Sequence, residues 1–346
     1  MIKDLLQTAI TARASDLHIT VGVPPVLRIG GQLIPATATP LTSREAEVIL
    51  TELLTGEQLA EFRRQRDIDF SYSLAGVGRL RVNGFFQRGL PALAIRVIRE
   101  EPPNLEQGGY PSVLRAIAGK RRGLVLVTGP AGSGKTTTLA AMVDWINANR
   151  ACHIITLEDP IEFVHISQKS IINQREVSTD TESFSRGLKA ALRQDPDVIL
   201  VGEMRDRETI STVLTAAETG HLVLATLHTY GAVNAVDRIV DAFSPEHQYQ
   251  IRGQLSLTLE AVIAQQLLPA NERPGLVMAT EILLATPAVR NLIREGKSHQ
   301  LKTVIQTGGK FGMQSMARAI DDLWRQGLVA APVARLFTED EVREEF

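Results

Sequence analysis

The sequence predicts an α/β protein built in two parts. Three observations carry this expectation. Beyond residue 119, apolar runs of strand length alternate with helical stretches, the rhythm of a parallel sheet covered on both faces. Before residue 99, short alternating runs with tight turns suggest an antiparallel sheet. Between them lies REEPPNLEQGGYP, residues 99–111, whose three prolines and two glycines read as a linker. A chain of 346 residues is long enough for about two domains. The expected division is an N-terminal domain over 1–100, a linker and connecting helix over 101–118, a main domain over 119–285 and a helical C-terminal region over 286–346.

In chain order, Ile2, Leu5, Leu6, Ala9 and Ile10 mark one helix face, and the segment MIKDLLQTAITARASDLHIT as a whole reads as an amphipathic helix. Val26–Ile29 and Gln32–Ile34 flank Gly30-Gly31 as a hairpin. Thr42 and Glu45 have the spacing of a capping box ahead of a helix through Leu54. Alternation around Ile68–Tyr72, Gly78–Arg88 and Ala92–Ile98 predicts three strands, so the first domain becomes an antiparallel sheet backed by two helices. In the main domain, strands are expected at Leu124–Thr128, Cys152–Leu157, Val198–Val201 and Leu222–Leu227. Helices are expected at Thr136–Ala148, Thr181–Arg193 and Arg207–Glu218. Beyond residue 230 the pattern is mainly helical, with one strand near Gly275–Leu283.

Composition narrows the function classes. The net charge of −2 gives no global signature of nucleic-acid binding, which needs a basic surplus to neutralise phosphates. A single cysteine, Cys152, rules out an intrachain disulfide and a cysteine zinc site, and fits a reducing compartment. No apolar run approaches the roughly 18 residues that span a bilayer, so the expected location is cytoplasmic.

The chemistry concentrates at strand ends. Gly129-Pro130-Ala131-Gly132-Ser133-Gly134-Lys135-Thr136 matches G-x-x-x-x-G-K-[ST], with an apolar strand running in and a helix leaving at Lys135. Glycines let backbone N–H groups close on a phosphate, and the helix N-terminus adds a positive dipole end. Lys135 is placed to bridge β- and γ-phosphates, and the Thr136 hydroxyl to hold Mg²⁺. With Thr137, these nine residues are the candidate nucleotide site. The buried run Val198–Val201 ends at Gly202-Glu203, where Glu203 can orient and deprotonate a water. Many proteins with this loop carry a metal-binding Asp where Gly202 stands, which shifts the burden onto Glu203. Glu158, Asp159 and Glu162 form a second acidic strand end, read either as helpers that place Mg²⁺ or water (Glu158 through water) or as an acidic surface turn. His228 closes a third strand and could sense a γ-phosphate, or be a structural histidine. On another strand, Arg79 and Arg81 share a face by period two, so both could reach a phosphate or line a solvated edge.

These segments also carry a resemblance. The phosphate loop, LEDPIEF, DPDVILVGEMRD and TGHLVLATLHT stand in the order of the Walker A, Asp box, Walker B and His box of the secretion-type ATPase superfamily. Similarity extends through ASDLHIT, GRLRVNGFFQR, INQREV, PAVRNLIREGK and IQTGGKFGMQSM, nearly the whole chain, and points to the branch that retracts type IV pili. The resemblance implies a PAS-like α+β N-terminal domain, a RecA-like ATPase domain and a homohexamer with Mg²⁺-ATP between the domains. It implies catalytic roles for Glu203, Glu162 and His228, nucleotide-facing roles for Arg81 and Arg96, and a subunit-boundary role for Arg238. It implies a coupling role for Arg290, Asn291, Leu292, Ile293 and Arg294, where the apolar members read as core and the two arginines as a second, outward face. The implied partners are an inner-membrane platform protein at the pilus base and an accessory paralogous ATPase, with only peripheral membrane contact and no nucleic acid. The expected function is therefore a motor hydrolysing ATP for pilus retraction and twitching motility. Its alternatives are an accessory retraction ATPase, a conjugation or type II secretion ATPase, and a nucleotide-gated regulator without turnover. The last is disfavoured by Glu203, because a pure switch needs no carboxylate for water.

Overall fold

The computed structural model describes residues 1–74, 78–98, 102–272 and 275–343, with side chains through 338. The chain divides into two units, Met1–Glu101 with Glu162–Val164, and Pro102–Ile161 with His165–Phe346.

In the first unit α1 (Ile2–Thr11) is followed by β1 (Asp16–Thr20), β2 (Val26–Ile29), β3 (Gln32–Pro35), α2 (Ser43–Leu53), α3 (Gly56–Gln65), β4 (Asp67–Leu74), β5 (Gly78–Gln87) and β6 (Leu90–Val97). The strands form one sheet in the order β3-β2-β1-β6-β5-β4, antiparallel throughout. One sheet face, with Leu17, Ile19, Leu80, Val82, Leu93 and Ile95, packs against Ile2, Leu6, Ile49, Leu50 and Phe62 of the helices. Each such side chain contributes about 1.5–3 kcal/mol by leaving water.

Two expectations are corrected here. The first helix stops at Thr11 and does not run through residue 20. Arg13 takes a left-handed conformation (φ 54°), and the burial period then switches from helical to two, with Leu17 and Ile19 inside and Asp16 and His18 outside that core. Three helices, not two, back the sheet. The capping box at Thr42–Glu45 is present, and a second, Thr55–Gln58, starts α3 with the same S/T-x-x-E/Q signal.

The second unit contains α4 (Val113–Ala118), β7 (Gly123–Thr128), α5 (Lys135–Asn149), β8 (His153–Glu158), β9 (Ile171–Glu176), α6 (Phe184–Ala191), β10 (Val198–Val201), α7 (Arg207–Glu218), β11 (Leu222–Leu227), α8 (Ala232–Asp241), α9 (Pro245–Thr258), β12 (Leu259–Pro269), β13 (Leu276–Leu284), α10 (Pro287–Arg294), α11 (Leu301–Thr307), α12 (Met316–Arg325) and α13 (Ala331–Arg343). Its sheet runs β13-β12-β7-β11-β10-β8-β9, parallel except for the antiparallel edge strand β13. Alternate residues of each strand feed two cores. Leu124, Leu126, Ile199 and Val223 face α7–α10, and Val125, Val127, Val198 and Leu224 face α4 and α5. A smaller cluster joins α12 and α13 to the far ends of β12 and β13.

The expected helical continuation beyond residue 230 fails at β12. Ala261–Ala264 are buried without a break, because β12 lies between β7 and β13 and both its faces are covered. Neither alternation nor a turn residue marks where α9 ends and β12 begins.

Candidate active site

The loop after β7 is shaped by its glycines. A Cβ on Gly129 would sit 2.3 Å from the Gln265 carbonyl and 2.6 Å from Ser133 Oγ, and its φ of 146° already excludes other residues. Gly134, at φ 84°, is the N-cap of α5 and turns the chain into the helix. Lys135 Nζ donates to the carbonyls of Gly129 and Pro130, both at 2.8 Å, so the ammonium is curled inside its own loop. Ser133 Oγ is buried without a partner. Thr136 and Thr137 are half-buried in the first turn, while Ala131 and Gly132 are exposed at the tip and Pro130 half-buried behind them. The loop is braced by a residue that sequence reasoning missed. Gln265 of β12 donates to the Ser133 carbonyl at 2.5 Å and accepts from Thr138 Oγ1 at 2.8 Å.

Glu203 follows β10 and is almost buried. Thr226 of the neighbouring strand holds it on both sides, its hydroxyl donating to the Gly202 carbonyl and its carbonyl accepting from Met204 N at 3.1 Å. A Cβ at Gly202 would lie 3.1 Å from the Leu157 carbonyl and 3.3 Å from the Phe184 ring, so the aspartate that many related loops carry would fit only if these neighbours gave way by a few tenths of an ångström. Both carboxylate oxygens of Glu203 have cationic or ring neighbours: Arg205 Nε lies 2.6 Å from Oε1 and His228 Nε2 lies 3.3 Å from Oε2. His228 is thus brought to Glu203. Arg205 was not singled out by sequence reasoning, although a guanidinium two residues past an acidic strand end is a readable signal. The turn into α7 is fixed by Asp206. Burial would raise its carboxyl, but hydrogen bonds from Thr209 outweigh that and hold it below the usual range. The loop after His228 is pinned as well. Thr229 N donates to Thr128 Oγ1 at 3.1 Å, and Thr128 Oγ1 donates to the Thr229 carbonyl at 2.6 Å.

The second acidic strand end separates its carboxylates. Glu158 is buried, and its Oε1 accepts from Thr156 Oγ1 at 2.6 Å and Gln174 Nε2 at 3.1 Å. Asp159 and Glu162 are exposed. Among the described residues no group of three or more His, Cys, Asp or Glu side chains is arranged to hold a metal ion by itself. In the first unit, Arg81 and Arg96 stand opposite each other on the sheet face away from the helices, and both are exposed. Arg96 Nε donates to Asp16 Oδ1 at 3.0 Å. Arg238 is exposed in the last turn of α8.

In α10, Thr286 is the N-cap, and Val289 and Ile293 are buried with Leu292 packed beside them. The expectation of two outward arginines is corrected. Arg290 turns inward: its guanidinium donates to the carbonyls of Ala285, Ser256 and Leu257 at 2.8–3.0 Å and to Glu260 Oε1 at 2.7 Å. It closes the end of α9 against the start of β12, where helix carbonyls need donors. Arg294 alone is exposed, bonded to Asn291 Oδ1, and Asn291 in turn donates to Glu295 at 2.9 Å.

A phosphate loop and an acidic strand end on one parallel sheet define a nucleoside triphosphatase of the P-loop class. Comparison with known proteins narrows this. Residues 1–322 match the family described as Type II/IV secretion system protein, and the chain belongs to that family. It is 46% identical over 334 residues to a Pseudomonas aeruginosa protein named type IV pilus retractation ATPase PilT, covering 96% of this chain and 97% of the relative. It is 47% identical to a Neisseria gonorrhoeae twitching motility protein, covering 96% and 89% of the two chains. It is 42% identical to the Pseudomonas aeruginosa type IV pilus ATPase PilU, covering 93% and 85%. The fold matches the crystal structure of the pilus retraction motor PilT with bound ADP at a TM-score of 0.89, with 43% identity over 96% of this chain and 95% of that one. The chain is an ATPase of this family, with an N-terminal domain followed by a RecA-like ATPase domain.

Proposed function

We propose that this ATPase works as the ring motor of type IV pilus retraction, which drives twitching motility. The observation that carries the reading is Glu203, fixed by Thr226 at the end of β10 and flanked by His228 and Arg205, on the sheet that presents the phosphate loop. In this reading Lys135 exchanges the carbonyls of Gly129 and Pro130 for phosphate oxygens, a stronger charge-assisted bond. Glu203 orients the attacking water and takes its proton, and His228 hydrogen-bonds on the γ-phosphate side. Glu162, Arg81, Arg96 and Arg238 supply further contacts to the nucleotide and across subunits in a homohexamer.

The residues present suit a magnesium ion carried in with the phosphates. The Thr136 hydroxyl is half-buried in the first turn of α5, and the chain offers no acidic cage among the described residues that would compete for the ion. Bound there, Mg²⁺ would neutralise charge on the β- and γ-phosphates. Glu158, whose Oε1 accepts from Thr156 and Gln174, anchors the end of β8 and would act on the ion through a water. Arg294, with its neighbours on α10, passes the nucleotide state to an inner-membrane platform protein, alongside a paralogous retraction ATPase. No described helix is long and apolar enough to cross a membrane, which suits a peripheral place at the cytoplasmic face of the inner membrane.

Deletion in a piliated host tests the reading. Cells without the protein should become hyperpiliated and lose twitching, and the wild-type chain, but not Glu203→Gln, should restore retraction. Normal retraction in the deletion strain would sink the proposal.

A further inference from the structure

We propose that Gln265 is the positioning residue of the phosphate loop, and that Thr138 and Tyr110 carry its setting out to the segment that precedes α4. The inference rests on the loop being the ATP site and adds three residues to it that no motif contains.

Gln265 is 1% exposed, on a strand that sequence patterning reads as helix. Its amide divides its two ends. The nitrogen donates to the Ser133 carbonyl at 2.5 Å, inside the loop, and the oxygen accepts from Thr138 Oγ1 at 2.8 Å, one turn into α5. Its own backbone carbonyl closes the space beside Gly129, 2.3 Å from where a Cβ would stand. One residue therefore touches the first glycine of the loop, a carbonyl in its middle and the helix that follows it. Peptide units facing phosphates must keep their N–H groups inward. A carbonyl pinned from outside fixes the orientation of the peptide unit that carries it, and the Ser133 carbonyl belongs to the peptide whose N–H is that of Gly134.

The chain of contacts continues outward. Burial pushes the Tyr110 hydroxyl up, and a side-chain hydrogen bond with Thr138 partly offsets that rise, which puts the phenol beside the residue that bonds Gln265. Tyr110 is part-buried against the core that holds α4 and α5. Its seat is prepared by the segment read from sequence as a linker. Asn104 Oδ1 accepts from Glu106 N and Gln107 N, folding the chain back, and a Cβ on Gly108 would strike the Tyr110 ring at 2.4 Å. The glycine that looks like linker punctuation is needed for the tyrosine to lie where it does.

The test compares Thr138→Val, Thr138→Ser, Gln265→Leu and Tyr110→Phe with wild type and with Lys135→Ala. The readouts are KM and kcat for Mg-ATP, Kd for ADP and Tm. Losing a hydrogen bond to a buried partner should raise KM and Kd about tenfold in Thr138→Val and Gln265→Leu, and about threefold in Tyr110→Phe. kcat should stay within about threefold, and Thr138→Ser should restore wild-type values. A fall in Tm with KM and Kd within twofold of wild type in Thr138→Val makes these residues merely structural and overturns the proposal, even if Gln265→Leu does not fold. Lys135→Ala separates the two levels. If it too leaves ADP affinity unchanged, the loop is not the nucleotide site and both readings fall.

Discussion

Glu203 owes its setting to neighbours on both sides: Thr226 fixes its backbone, and Arg205 and His228 flank its carboxylate. Glu203→Gln keeps the shape and the buried contacts but removes the proton acceptor. ATP binding should survive while turnover falls at least about a hundredfold, as measured by phosphate release beside nucleotide affinity. Near wild-type turnover would remove Glu203 from the chemistry. A second residue-scale effect concerns acid. Burial holds the His165 imidazole down at about 4, and its Nδ1 is buried without a partner. Unfolded, the same ring titrates near 6.5, so between pH 6.5 and 4 the unfolded chain binds the extra proton and stability falls with pH. The loss approaches roughly 3 kcal/mol at the lower end of that window. Thermal unfolding from pH 7.5 to 4.5 should fall less steeply in His165→Gln than in wild type, and equal slopes would show that the ring is not the group responsible.

At the level of elements, α10 separates into an inner and an outer arginine, and the two substitutions should behave differently. Arg290→Ala strips donors from the carbonyls of Ser256 and Leu257 and leaves Glu260 without its closest guanidinium. It should cost about 3 kcal/mol and show first as a lower Tm. Arg294→Ala removes an exposed side chain, so folding and assembly should hold and ATPase activity stay within a few-fold. Pilus retraction should nonetheless be lost. Normal retraction in that variant would return α10 to a purely structural role. Sequence could place both arginines on α10 but not tell them apart, because three of the four partners of Arg290 lie 30 or more positions away at the α9–β12 junction. The same blindness hid β12, whose burial on both faces erases alternation. It hid Gln265 with it, since a glutamine in an apolar run carries no motif. By contrast β10, β11 and α7 were legible to the residue, because each has the length and the flanking signals of its kind. The phosphate loop was legible for a further reason: Gly129, Gly132 and Gly134 all stand at positive φ, a local demand that glycine alone meets freely.

For the whole molecule, the question is why a chain with two units should need more than one copy. Each unit has its own core, so folding does not call for a partner. Arg81 and Arg238 are different. Each is exposed on a regular element, Arg81 on the outer sheet face of the first unit and Arg238 in the last turn of α8, where an isolated chain gains little from a cation. A guanidinium presented to another subunit's nucleotide is worth far more, since it meets charge that develops in the transition state away from bulk water. The prediction is therefore collective. Light scattering should give a six-subunit mass for the wild type with nucleotide, and the specific activity should rise with concentration as rings form. Arg81→Ala and Arg238→Ala should bind ATP normally yet turn over more slowly, by about tenfold or more. Mixing Arg81→Ala or Arg238→Ala subunits with Glu203→Gln subunits should recover part of the lost activity, because a site that takes Glu203 from one subunit and the arginine from its neighbour is then whole. A monomer with full activity at every concentration, or mixed rings that recover none, would place each site wholly within one chain.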